Sequence, residues 1–264
     1  MGGREPPLVV VLGALLTLGV SILSDSASGA EPPDLLSKGG VERFGSHPTV
    51  VRERSVDVDT GLIEGLRPFD GAELTMNFFG DATFTARFDK EHGRPEAWRS
   101  LGSTWSGEVV GDGAGGWFVL TLQRGVVTGT LWTGDGRVFQ VGSSVGGEQV
   151  AQEVDVRRFE PCGGDPFDRW PVGQPPDGGL RLACDPDDGT VIDVMIVYTP
   201  AARDAAGGVG SIEGVAANSI ASTNTAYEAS GVATRLRLVH IAEVAYTEAV
   251  SGTDLGRLRG TADG

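Results

Sequence analysis

Residues 73–88 read ELTMNFFGDATFTARF. On either side of Gly80 and Asp81 the apolar residues fall on every second position: Leu74, Met76 and Phe78 before, Phe84, Ala86 and Phe88 after. Such alternation turns one face of an extended chain toward a core and the other toward water. Gly-Asp between two runs of this kind is a two-residue connection of the tight-hairpin type. The stretch predicts two antiparallel strands, and with them the character of the region around it.

Outward from this hairpin the pattern repeats. Runs at 49–57, 104–110, 117–123, 126–132 and 137–141 alternate in the same way; in the third, Phe118, Leu120 and Leu122 stand against Val119 and Thr121. Their connections carry Asp112 and Gly113, Arg124 and Gly125, and Gly134, Asp135 and Gly136. Short strands separated by such turns predict an antiparallel β-sandwich or roll over 31–160. The chain's 41 Gly and 14 Pro in 264 residues, well above average usage, agree with a turn-rich, β-rich protein. No long stretch of this region has the 3.6-residue period of a helix.

Four of the five Trp (Trp98, Trp105, Trp117 and Trp132) fall in this region, and Trp170 follows it. They could form a platform for sugars, but strands are rich in aromatic residues in any case, and packing of core and edges is the expectation. His47 and His92 stand in loop-like contexts, with Glu91 the only conceivable partner of His92; both read as lone surface histidines.

Charge and residue counts exclude whole classes of function. The formal net charge is −15, so nucleic acid and anionic membranes are poor partners. Two Cys and three His nearly exclude a metal site built from several such ligands within these residues.

The N-terminus reads as an export signal, residues 1–30. Residues 8–23, LVVVLGALLTLGVSIL, are uncharged and apolar, yet shorter than the ~20 residues of a membrane span. Ser28, Gly29 and Ala30 supply small residues at the positions signal peptidase needs, so cleavage is expected after Ala30 and the product is expected to be secreted, extracellular or periplasmic. The competing reading is an uncleaved N-terminal anchor. After cleavage no membrane attachment is expected.

Residues 161–190 have a linker composition of Pro, Gly and Asp, and hold both cysteines, Cys162 and Cys184. In an oxidising compartment these can close a disulfide. Alternatively Cys162, followed by two glycines, can act as a thiolate that fills the open position of a zinc ion and keeps an enzyme latent. Two unrelated free thiols are the third reading.

From Val191 the text changes. VIDVMIVYT, 191–199, is a near-continuous β-branched run of the kind buried on both faces of a sheet. Pro200 suits the first turn of a helix, and Ser211 suits an N-cap. Ile212, Ala216, Ile220, Thr223 and Tyr227 then fall on one helical face, and Gly231 suits the C-terminal cap. In 232–248, Leu236, Leu238, His240, Ala242, Val244 and Tyr246 alternate with Arg235, Arg237, Val239, Ile241 and Glu243. This predicts a long strand with His240 on its more apolar face, half-buried and hydrogen-bonded. Strand, helix and strand together predict a parallel βαβ unit. The overall class is therefore α+β: an antiparallel β domain followed by an incomplete α/β segment over 191–264. That segment is expected to be aggregation-prone or readily digested by itself, because one helix covers only one face of its sheet.

These last residues carry a resemblance. Asp193, Val194, Met195, Ile196, Val197, Tyr198, Thr199, Pro200, Ala201, Ala202 and Arg203 resemble the opening strand of secreted bacterial zinc metallopeptidases of the metzincin group, the reprolysin-like and peptidyl-Asp endopeptidase kind. Ser230, Gly231 and Val232, then Arg235, Leu236, Arg237, Leu238 and Val239, then Tyr246, are similar to that family's helix end and second strand. Asp254, Leu255 and Leu258 are similar to its next helix. The resemblance implies a zinc cofactor and a protein or peptide substrate. It also implies that the preceding β domain is a propeptide.

The family holds zinc on HExxHxxGxxH, with Glu as general base and a zinc-activated water as the attacking group. No HExxH occurs in this sequence, whose histidines are His47, His92 and His240. No catalytic or metal residue can therefore be assigned. The chain reads as a precursor fragment in which the zinc motif lies beyond residue 264, and it is expected to bind no zinc and hydrolyse no peptide by itself. The alternative is a secreted, non-catalytic β-sandwich protein that binds or inhibits a partner. A serine-hydrolase reading has little support, and a dinucleotide-binding reading fails because no GxGxxG follows the 191–199 strand.

Overall fold

The computed structural model describes residues 31–45, 47–68, 70–92, 102–111, 114–159, 189–249 and 251–260. Residues 1–30, read as an export signal ending at Ala30, the cysteines Cys162 and Cys184, and Trp98 and Trp170 lie outside the described residues.

The β domain is a roll. Nine strands form a single curled antiparallel sheet: β1 (Arg43–Phe44), β2 (Val50–Ser55), β3 (Ala72–Phe79), β4 (Ala82–Glu91), β5 (Gly102–Val110), β6 (Trp117–Gln123), β7 (Val126–Trp132), β8 (Val138–Ser143) and β9 (Gln149–Val154). From β3 to β9 each strand pairs with the next, and β2 pairs with β9. The 73–88 hairpin forms as read, with Met76 opposite Phe84. At the β6–β7 turn Arg124 and Gly125 have φ of 51° and 78°. Two positive φ values give the hairpin the twist its strands need.

Alternation sorts the side chains. Met76, Phe78, Phe84, Phe88, Phe118 and Phe139 fill the interior, with Trp105 among them. The Phe78 and Phe139 rings lie 5.1 Å apart, and those of Phe88 and Phe118 meet edge-on at 4.7 Å. Trp117 and Trp132 stack on each other at 3.8 Å, both half-buried.

The two ends of the curled sheet meet at a seam that the sequence reading did not foresee. Residues 33–37 run along β3 and are held there by Leu35 N–H to Thr75 O and Thr75 N–H to Pro33 O, both 2.8 Å. On their other side Ser37 N–H donates to Asp57 O at 2.8 Å, and Asp59 N–H to Leu35 O at 3.0 Å. Leu35 and Leu36 enter the core. Arg54 of β2, 5% exposed, donates from its guanidinium to the carbonyls of Phe78 (2.6 Å), Ser37 (2.9 Å), Asn77, Gly39 and Ser55. One buried cation thus ties both sheet ends to the N-terminal segment. Helix α1 (Thr60–Gly65), capped by Asp59, places Ile63 in the same core.

Later in the chain, β10 (Val191–Tyr198) and β11 (Arg235–Glu243) form a parallel pair. Between them run α2 (Pro200–Ala205), capped by Thr199, and α3 (Val209–Ala229). Helix α4 (Ser251–Gly260) follows. Two expectations are corrected here. Ser211 is not a cap: α3 starts earlier, behind Gly208, and Ser211 is buried inside it. His240 is not on the apolar face. The pairing skips from Leu238 to His240 across Val239, so the alternation breaks and Ile241 turns inward while His240 is exposed. As expected for one crossover, β10 is covered on one face only; Met195 is 64% exposed.

Candidate functional site

Helix α3 lies between two sheets and presents a different chemistry to each. Toward β10 and β11 it sends Ile212 and Ala216, which pack with Ile196, Tyr198 and Ile241. Asn224 fixes it there, accepting from Leu236 N–H and donating to Leu236 O, both at 2.8 Å. This is the face the sequence reading found.

The opposite face carries Ser211, Gly214, Asn218 and Ala221, all buried, spaced three, four and three apart. It packs against the outer surface of β5, β6 and β7. That surface is polar: Thr104, Thr121, Gln123 and Thr128 are buried beneath the helix with Val119. Asn218 donates to Val119 O at 3.0 Å. Glu213, 6% exposed, accepts from Gln123 Nε2 and from Arg124 Nε, both at 2.8 Å. Lys90 of β4 donates to Glu228 at 2.6 Å near the other end of α3. Helix and strands approach closely where Gly210 and Gly214 stand. A Cβ at Gly214 would lie 2.9 Å from Thr128 Oγ1, and one at Gly210 3.0 Å from Val126 Cγ2. Thr128 Oγ1 is buried with no hydrogen-bond partner among the described residues.

The electrostatics follow from this burial. His92 is not a surface histidine; it is half-buried, with Nε2 2.8 Å from Ser106 Oγ. Burial, aided by Lys90 and opposed by Glu228, holds its pKa down to about 4. The Tyr198 hydroxyl is pushed above its usual range by burial and by Glu213 and Glu243. The Arg124 guanidinium is held more firmly protonated by Glu213.

The histidines do not converge. His47 Nδ1 is 2.8 Å from Thr49 Oγ1, His92 is bound to Ser106, and His240 lies on the open face of β11 opposite Met195. Among the described residues no three His, Cys, Asp or Glu are placed to hold a metal ion. The donors present do not fit a zinc site. Also among these residues, no helix is long and apolar enough to cross a membrane.

Sequence comparison relates the chain to the metallopeptidases. It is similar to the Peptidyl-Asp metalloendopeptidase of Pseudomonas aeruginosa, with 44% identity over 68 residues. The match takes in 25% of this chain and 11% of that protein, so the chain corresponds to about a tenth of its relative's length. No protein-family model matches the chain. No solved structure matches it.

Proposed function

We propose that this chain is part of the precursor of a secreted, zinc-dependent metalloendopeptidase of the metzincin group. In this reading residues 1–30 direct export, the β-roll of 31–160 is the propeptide, and 161–190 links it to the opening of the peptidase domain in 191–264. The zinc motif lies beyond residue 264. The whole protein hydrolyses peptide bonds in a protein or peptide substrate.

The observation that carries this reading is the 44% identity to a metalloendopeptidase. The parallel β10–β11 pair with its crossover helices agrees with it, since such a pair is the start of a larger sheet and its outer face is uncovered. Cys162 and Cys184 remain, in this proposal, a disulfide or a thiol that blocks the zinc.

The test is the reading frame downstream of codon 264. An HExxHxxGxxH motif, within the span of a peptidase domain of ~200 residues, is the expected result. A frame without it would overturn the proposal and favour the non-catalytic binding protein.

A further inference from the structure

We infer that the outer face of β5, β6 and β7 is a docking surface for α3 that holds without a covalent connection. The roll and the 191–264 segment then stay together as a complex of two chains after the linker is cut. The geometry of the docking stands on its own; only its use, a propeptide seated on a peptidase domain, rests on the proposed function.

Three observations carry the inference. The first is the two-sided burial of α3. Its apolar side, Ile212 and Ala216, belongs to β10 and β11, whereas Ser211, Gly214, Asn218 and Ala221 face the roll. The second is specific bonding across the interface. Glu213 receives both Gln123 and Arg124, Asn218 reaches the Val119 carbonyl, and Glu228 pairs with Lys90. Arg124 sits at a hairpin turn with φ of 51°, which aims a charged side chain from the end of the sheet at the start of the helix. The third is steric fit, since Gly210 and Gly214 let the helix backbone approach where any side chain would meet Val126 or Thr128.

The chemistry of this interface also differs from that of the core. The interior of the roll is closed by phenylalanines, and exposing them would be costly. The α3 interface is made of threonine, asparagine, glutamine and glutamate, all of which water can satisfy again on separation. Interfaces between parts that come apart are of this more polar kind. The docking is therefore specific yet reversible. The roll covers the second face of α3 and leaves the outer face of β10 and β11 open, with Met195 and Val197 exposed.

The test uses the full chain with a site for a sequence-specific protease inserted in the linker between residues 165 and 180. The protein is cut in reducing buffer, so that no bond between Cys162 and Cys184 can join the pieces. Analytical ultracentrifugation at falling concentration then reads their affinity. The two pieces are expected to sediment as one particle at micromolar concentration. Gly214→Leu, which removes a glycine from a helix interior but fills the gap against Thr128, is expected to separate them while the helical signal is kept. Arg124→Asn, which suits the positive φ of the turn but cannot reach Glu213 as a cation, is expected to weaken association about tenfold. Separation of the wild-type pieces at once on cutting would overturn the inference. So would a Gly214→Leu pair that binds as tightly as the wild type. Neither readout involves hydrolysis, so a failed docking and a failed peptidase assignment are told apart.

Discussion

Asn218 of α3 donates its side-chain amide to the main-chain carbonyl of Val119, 3.0 Å away and 99 residues earlier in the chain. Both groups are buried, and the bond pins the middle of the helix to the middle of a strand of the roll. Asn218→Leu removes the donor and forces an apolar branch against threonines. The expected loss is about 1–3 kcal/mol in the stability of the whole chain, read by urea denaturation. Asn218→Leu with unchanged stability would show that the contact is incidental.

Arg54 closes the roll by serving five carbonyls from one guanidinium. Arg54→Met leaves those carbonyls without their donor at a buried seam and is expected to cost at least about 3 kcal/mol. Arg54→Lys is expected to rescue little, because an ammonium offers a single point of donation in place of a planar fork. Urea denaturation of both variants checks this. A fully stable Arg54→Lys protein would mean that charge alone, rather than the fork, joins the sheet ends.

Acid should loosen the molecule through His92. Its pKa in the folded chain, about 4, lies below the ordinary 6.5. Between these values the unfolded chain binds more protons than the folded one. The contribution of neutral His92 is therefore intact above pH 6.5, falls as the pH drops, and is gone below about 4. The difference amounts to about 3 kcal/mol. His92→Gln, which keeps a hydrogen-bonding side chain beside Ser106 but does not titrate, is expected to flatten that part of the pH–stability curve. An unchanged slope between pH 6.5 and 4 would place the acid sensitivity elsewhere.

The open face of the β10–β11 pair, where Met195 and Val197 are exposed, should make the chain self-associate. Met195→Lys with Val197→Thr is expected to reduce association in light scattering while shifting unfolding by no more than about 0.5 kcal/mol, as for other exposed sites. A large loss of stability in the double variant would show that this face is packed in solution.

Much of the fold was legible because alternation survives wherever a strand has one dry face. The 117–123 and 126–132 runs predicted β6 and β7 to the residue. β9, QVAQEV, was missed because Gln149, Gln152 and Glu153 dilute its apolar set to Val150, Ala151 and Val154. The seam was illegible because it depends on backbone groups of 33–37 and on one arginine, which carry no periodicity. The second face of α3 was overlooked because serine, glycine, asparagine and alanine do not register as a hydrophobic stripe, though their spacing is as regular as that of Ile212 and Ala216. The inward turn of Ile241 could not be read because one skipped residue, Val239, reverses the alternation after it.

The most direct measurement of the central claim is zinc content and proteolysis in the protein expressed from the uninterrupted reading frame and purified without chelator. The account predicts stoichiometric zinc and hydrolysis of a protein substrate, both lost to a strong chelator and restored by added zinc. A folded protein that retains no zinc and cleaves nothing, with the roll attached or removed, would contradict it.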